Sequence, residues 1–238
     1  MDARFDLGET RVEVVRKKVK NLHLSVNPPD GKVRITAPER MDLNAIRVFA
    51  ISKLSWIRSR QRKLREQVRE SPREYLNRES HQVWGRRYLL KIVEKDAAPA
   101  ITLKHSALLL QVRTGSDTAK RNAILEDWYR AELRGATLPL LAKWEPLLGV
   151  RIGKIFVQRM KTKWGGCNPV TRNIRLNTDL AKKPRECLEY ILVHELAHLL
   201  EPTHNQRFQA LMDQVMPAWK FHRDALNRLP VRHEEWDG

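Results

Sequence analysis

His194-Glu195-Leu196-Ala197-His198 places two imidazoles four residues apart, with a carboxylate directly after the first. On a helix such positions share a face, so both rings can bind one metal ion while Glu195 reaches a water on that ion. The chemistry this spacing suits is that of a zinc-dependent hydrolase. The ion polarises a carbonyl and acidifies its water, and the carboxylate carries a proton from the water to the leaving amine. A structural zinc site closes with four protein ligands, usually rich in cysteine, whereas a catalytic one uses three and keeps a position open. Cys167 and Cys187 are the only cysteines, so the open kind is expected, with one zinc per chain. His204, six residues after His198 and past Pro202, is the expected third ligand. Glu201 is its rival, at i+3 from His198, and Glu234 and Glu235 are more distant carboxylate rivals. Hydrolysis of a peptide bond is the natural reaction. Arg159, Lys161, Lys163, His222 and Arg223 qualify by residue type as donors to the developing oxyanion. Cys167 as a nucleophile is a minor alternative, because its neighbouring glycines favour a tight turn.

The motif falls in a segment from about Pro184 to Leu200 whose other positions are nearly all apolar, among them Leu188, Ile191, Leu192 and Val193. A buried helix with two histidines and a glutamate inserted into it is an unfavourable core unless a metal pairs them. A further helix starts near Asn205, and Pro217 breaks it before Leu229. Upstream, Ile152–Val157 and Asn173–Asn177 read as strands flanking the stretch from Arg159 to Asn168. Ala119 to Leu148 has helical spacing that Gly135 and Pro139 interrupt, with Trp128 and Trp144 in its apolar stripe. Gln82–Val93, Ile101–Leu103 and Leu108–Val112 read as short strands of a small, mostly antiparallel β-region. Val12 to Pro38 alternates as strands around an Asp30-Gly31 hairpin turn. Asp42 then N-caps one long helix reaching about Val68. Its second half, Lys53 to Arg69, carries seven Lys and Arg against the single acid Glu66. This is a solvated face in the plain reading and a polyanion-binding stripe in the sharper one. The expected fold class is α+β. Residues 1–115 form an N-terminal β-rich region with a long basic helix, and residues 116–238 form the catalytic region.

The 238 residues are 42% hydrophobic and 31% charged, which excludes disorder and membrane insertion as default readings. Lys plus Arg number 45 against 28 acids, a net charge of +17, and such a chain is drawn to polyanions. Two cysteines make no disulfide framework, and the N-terminus has no apolar run of signal length, so a cytoplasmic location without a membrane partner is expected.

Three separated motifs, Trp164-Gly165-Gly166-Cys167, Ile174-x-Leu176-Asn177 and His194 to His198 followed by His204 and Phe208, resemble the YgjP-like zinc metallopeptidases, relatives of the SprT-like proteases. The similarity extends to Ala37-Pro38, Lys53-Leu-Ser-Trp56-Ile57 and Trp84-Gly85-Arg86-Arg87-Tyr88, and so covers nearly the whole chain. The resemblance implies that His194, His198 and His204 bind zinc and that Glu195 is the catalytic base. It also implies a zincin-like lobe in the C-terminal half, with Trp164 to Asn177 as an edge strand and loop beside the active-site helix, where an extended peptide can add as a strand. Gly166 stands where the family more often has Ser, and Gln209 where it usually has Trp. The 194, 198, 204 spacing equals that of metzincins, but Glu201 occupies their glycine position, which argues against that group. The leading expectation is therefore a zinc metalloendopeptidase acting on protein or peptide substrates, with DNA-associated proteins suggested by the SprT-like relatives and the charge. The alternative is a basic nucleic-acid-binding or adaptor protein with a structural zinc. Hydrolysis of a small amide or other non-protein substrate at the same centre is a third reading.

Overall fold

The structure is a computed structural model that describes residues 3–27, 31–66, 70, 73–161 and 163–230. It divides into two compact units, one built from the first 71 residues and the other from Pro72–Leu229. The boundary falls between Ser71 and Pro72, so residue 115 lies inside the second unit.

In the first unit, strands β1 (Ala3–Leu7), β2 (Thr10–Lys17), β3 (His23–Asn27) and β4 (Lys32–Pro38) form one sheet in the order β1-β2-β4-β3. Alternation turns Phe5, Leu7, Val12, Val14, Val33 and Ile35 to one buried face. The β3–β4 hairpin forms as expected, with Gly31 at φ 71°, while Asp30 lies outside the described residues. Asp42 caps helix α1 (Leu43–Ser52) by accepting from the Asn44 and Ala45 amides at 2.9 and 3.3 Å. The expected single long helix is two. At Lys53 (φ −104°, ψ 5°) the amide turns back to the Ala50 and Ile51 carbonyls, and the Ser52 hydroxyl donates to the Phe49 carbonyl, before α2 (Leu54–Glu66) begins. Ile46, Ala50 and Ile57 cover the sheet face.

In the second unit, β5 (Ser80–Val83), β6 (Arg86–Glu94), β7 (Ala100–Lys104) and β8 (Ala107–Val112) are ordered β5-β6-β8-β7. The sheet is mostly antiparallel, as expected, but its central pair, β6 and β8, runs in parallel, from Leu89↔Ala107 to Glu94↔Val112. The turn at His105 folds β8 back along β7, and β8 then inserts between β7 and β6, so it must run with β6. Helix α3 (Thr118–Leu148) runs unbroken through Gly135 and Pro139. Pro139 crowds and unpairs the carbonyl four residues back, but that residue is Gly135, exposed and without a side chain, and Leu133, Thr137 and Leu141 hold the opposite face in the core. Strands β9 (Ile155–Gln158), β10 (Gly165–Asn168) and β11 (Asn173–Asn177) form a third sheet in the order β10-β11-β9, leaving β10 at an edge. A 3-10 turn (Thr178–Lys182) leads into α4 (Arg185–Ala197), followed by α5 (Gln206–Val215) and α6 (Trp219–Arg228). Among the described residues no helix is long and apolar enough to cross a membrane.

A buried histidine in β5 couples this unit's stability to pH. His81 is 4% exposed, with Nε2 2.9 Å from a Glu79 carboxylate oxygen but off the line a hydrogen bond needs. Burial and the nearby Arg73 charge lower it to about 4, against the opposing pull of Glu79. The unfolded chain titrates near 6.5, so between pH 6.5 and 4 the unfolded state binds the extra proton. Stability is thus fully present above 6.5 and falls as pH drops to 4, by on the order of 3 kcal/mol. Urea unfolding at pH 7 and pH 4.5 should show a smaller stability difference in His81→Gln than in the wild type.

Candidate metal centre

Helix α4 is seated at both ends. At its start the Trp84 and Gly85 amides donate to the Ala181 and Lys182 carbonyls at 2.8 and 3.2 Å. Gly85 (φ 77°) lies so close that a Cβ there would stand 2.9 Å from the Pro184 ring, and Arg185 stacks 4.3 Å over Trp84. Its middle is buried on nearly every side, through Leu188, Leu192, Val193 and Leu196. Its last turn carries His194 and Glu195, and His198 caps it. The chain then turns through Pro202, and Asn205 caps α5 by accepting from the Phe208 amide at 3.0 Å.

These elements bring together the three histidines singled out from the sequence. Their ligand atoms all lie within 4.8 Å of one another, with His194 Nε2 and His198 Nε2 at 2.9 and 3.1 Å from His204 Nε2. Four-coordinate zinc at 2.0–2.1 Å from each nitrogen separates its ligand atoms by about 3.3 Å. The two distances to His204 Nε2 are within a few tenths of that. His198 Nδ1 lies 3.1 Å from the Glu201 carbonyl, and donating there leaves Nε2 as the lone-pair atom facing the other rings. His194 Nδ1 is buried without a hydrogen-bond partner. Burial, then the charges of His198 and His204, lower His194 to about 3, and burial also lowers His198, so these rings are neutral donors near pH 7. The donor set therefore fits a zinc-type ion. The Glu201 carboxylate points elsewhere, accepting from Asn205 Nδ2 at 3.0 Å and Thr203 at 3.4 Å. Glu234 and Glu235 lie outside the described residues.

Glu195 is 6% exposed, and burial raises it to about 7 against the pull of Lys163 and a hydrogen bond from the Cys167 amide. Its close neighbour is β10: a Cβ on Gly165 would stand 2.7 Å from Glu195 Oε1 and 2.9 Å from Ile191 Cγ2. Gly166 has nothing within 4 Å of the same position. Of the five cations chosen by type, Lys163 is one whose charge reaches Glu195, while the charges of His222 and Arg223, on α6, reach Glu189 and Tyr190. Cys167 is pushed up to about 11 by burial and by Glu195, which disfavours the thiolate a nucleophile needs.

Two residues contribute beyond their place in the sequence motifs. Phe208, 1% exposed, lies beneath all three histidines, with ring centroids 4.9, 4.7 and 4.9 Å from His194, His198 and His204. Its signal was an apolar residue at the third position of an Asn-capped helix just after His204. Asn177 is buried at the end of β11; its Nδ2 donates to the Met160 and Lys163 carbonyls at 2.8 and 2.9 Å, and its amide to the Trp164 carbonyl at 2.9 Å. It clamps the segment leading into β10, and nothing local in the sequence announces that.

The sequence of residues 20–229 matches the family described as YgjP-like, metallopeptidase domain. The chain belongs to the YgjP-like metallopeptidase family. Membership implies a metal ion and peptide or protein substrates. No curated protein matches the chain. Solved structures similar to part of this YgjP-like chain include two archaeal metallopeptidase zymogens. Abylysin of Pyrococcus abyssi is 26% identical, with 37% of this chain and 89% of that one covered and a TM-score of 0.35. Jannalysin of Methanocaldococcus jannaschii is 20% identical, with 40% and 87% covered and a TM-score of 0.33.

Proposed function

We propose that the protein is a zinc metalloendopeptidase in which His194, His198 and His204 hold one zinc ion and Glu195 is the general base, on a zincin-like lobe. The observation that carries this reading is the convergence of three imidazole nitrogens beside a buried carboxylate. Zinc bound there supplies the polarisation of the scissile carbonyl and the acidification of the attacking water. Glu195 takes a proton from that water at its carboxylate as the new C–O bond forms, and returns it to the amine nitrogen as the C–N bond breaks. The Cys167 amide steadies the carboxylate, and the free edge of β10 takes an extended peptide by strand addition. The net charge of +17 supports substrates that are themselves carried on a polyanion such as DNA.

Elemental analysis of the untagged protein tests the ligand set. The expected result is near one zinc per chain in the wild type and near none in His194→Ala and His204→Ala. Zinc lost only in His194→Ala would remove His204 from the set, and a wild type that takes up no zinc would sink the reading.

A further inference from the structure

The strongest charge feature outside the histidine site is α2. Five of its 13 residues are Arg or Lys and one, Glu66, is acidic. Arg58, Arg60, Arg62, Lys63 and Arg65 are all exposed. Among the described residues no ion pair joins any of them to a carboxylate, although the sheet of the same unit pairs its own charges, Arg34 and Arg4 with Glu13 and Arg11 with Asp6. Five unneutralised cations on 20 Å of helix repel one another, and an anionic partner relieves that repulsion.

Their placement on the helix is specific. Ile57, with Leu54, Gln61 and Leu64 beside it, faces the sheet, and Gln61 Nε2 donates to the Gly31 carbonyl at 2.9 Å, so the helix is fixed in rotation. At 3.6 residues per turn the opposite crest runs through Ser55, Ser59 and Glu66, with Arg62 at its edge on the Arg58 side. Arg58 and Arg65 lie on one flank, and Arg60 and Lys63 on the other. A helix about 10–12 Å across matches the roughly 12 Å major groove of B-DNA, whose two walls are phosphates. Cations on both flanks of a polar crest meet both walls. A membrane-surface helix instead turns a broad apolar face to lipid, whereas Leu54 and Ile57 of α2 are spent on its own sheet and Trp56, half exposed on the flank of Arg60 and Lys63, is a single outward ring.

We infer that α2 is a duplex-DNA-binding helix that lies in the major groove and grips the phosphates on both sides through Arg58, Arg60, Arg62, Lys63 and Arg65. This deepens the polyanion part of the proposed function and rests on it, but not on peptide cleavage.

Fluorescence anisotropy of the full-length, zinc-loaded protein with a labelled 20-base-pair duplex provides the test. Arms with the single strand of the same length and with phosphatidylglycerol vesicles distinguish the anion. The expected wild type binds the duplex most tightly and weakens linearly in log–log terms with salt. Arg58→Gln/Arg62→Gln/Arg65→Gln should bind at least tenfold more weakly at low salt, with the salt slope reduced by about 3. Arg60→Gln/Lys63→Gln, on the other flank, should reduce the slope by about 2. Lys91→Gln/Lys104→Gln/Arg113→Gln removes the same charge from the second unit and should change affinity less than threefold. Circular dichroism and Tm check that each variant folds. Equal losses in the two triple variants would overturn the assignment to α2 while leaving a generally cationic protein. Tighter binding to single strands or vesicles would overturn duplex DNA as the partner. No duplex binding at low salt would overturn both the assignment and the polyanion reading behind it.

Discussion

Glu195→Gln should lose activity by about 10²–10⁴-fold in kcat/KM while keeping its zinc. Glutamine has the size of glutamate and still offers a carbonyl oxygen to the Cys167 amide, so the seat beside β10 survives. What disappears is the ability to accept a proton. Because Glu195 is not among the three converging imidazoles, metal content should match the wild type, which separates a failed base from a failed ligand. Burial, opposed by Lys163 and the Cys167 amide, raises Glu195 to about 7. A divalent cation alongside favours its charged form, so in the zinc-loaded enzyme the acid limb of the pH profile should lie below 7. Turnover of a casein substrate, measured next to zinc content, checks the expectation. Activity retained in Glu195→Gln would remove it from the mechanism and favour the adaptor reading, in which zinc is only structural.

Gly165→Ala should be the second most damaging change, although it adds one methyl group and touches no histidine. The new Cβ would collide with Glu195 Oε1 at 2.7 Å and with Glu195 Cγ and Ile191 Cγ2 at 2.9 Å. Little on the strand side can yield: Gly165 is paired opposite Leu176 in the β10–β11 ladder, and Asn177 holds the carbonyls of Met160 and Lys163 just before it. The carboxylate therefore moves. A misplacement of about 1 Å costs about 10²-fold in rate, and overpacking costs about 1–3 kcal/mol of stability. The loss should appear in kcat more than in KM. Gly166→Ser makes the control, because a Cβ there meets nothing within 4 Å. It should stay close to the wild type, consistent with the serine more often found there in the YgjP-like family. Steady-state kinetics and thermal melts of the pair decide it, and equal behaviour of the two variants would sink the packing account.

Local periodicity explains which parts of this arrangement were readable in the sequence. The 194, 198 spacing is a property of one helix, and Asn205, Asp42 and Pro217 are helix punctuation, so these features needed no tertiary knowledge. The parallel pairing of β6 with β8 was hidden, because alternation along a strand is the same whichever way its neighbour runs. The break at Lys53 carries no Gly or Pro to mark it. Conversely, Pro139 looked like a breaker, and the core packing of Leu133 and Leu141 carries α3 through it. The choice between His204 and Glu201 depended on where a short turn points two side chains. Asn177 was visible only as part of a motif, since its partners lie 14 and 17 residues away.

The surroundings of Glu195 on β10 are made of main chain: an amide at 167 and a bare Cα at 165. Every sequence has a main chain. The side chain at 166 can therefore diverge among related enzymes and alter what is recognised at the strand edge without disturbing the Glu195 carboxylate. Evolution along β10 is then free at one position and forbidden at its neighbour, and recognition can be retuned while the chemistry stays fixed.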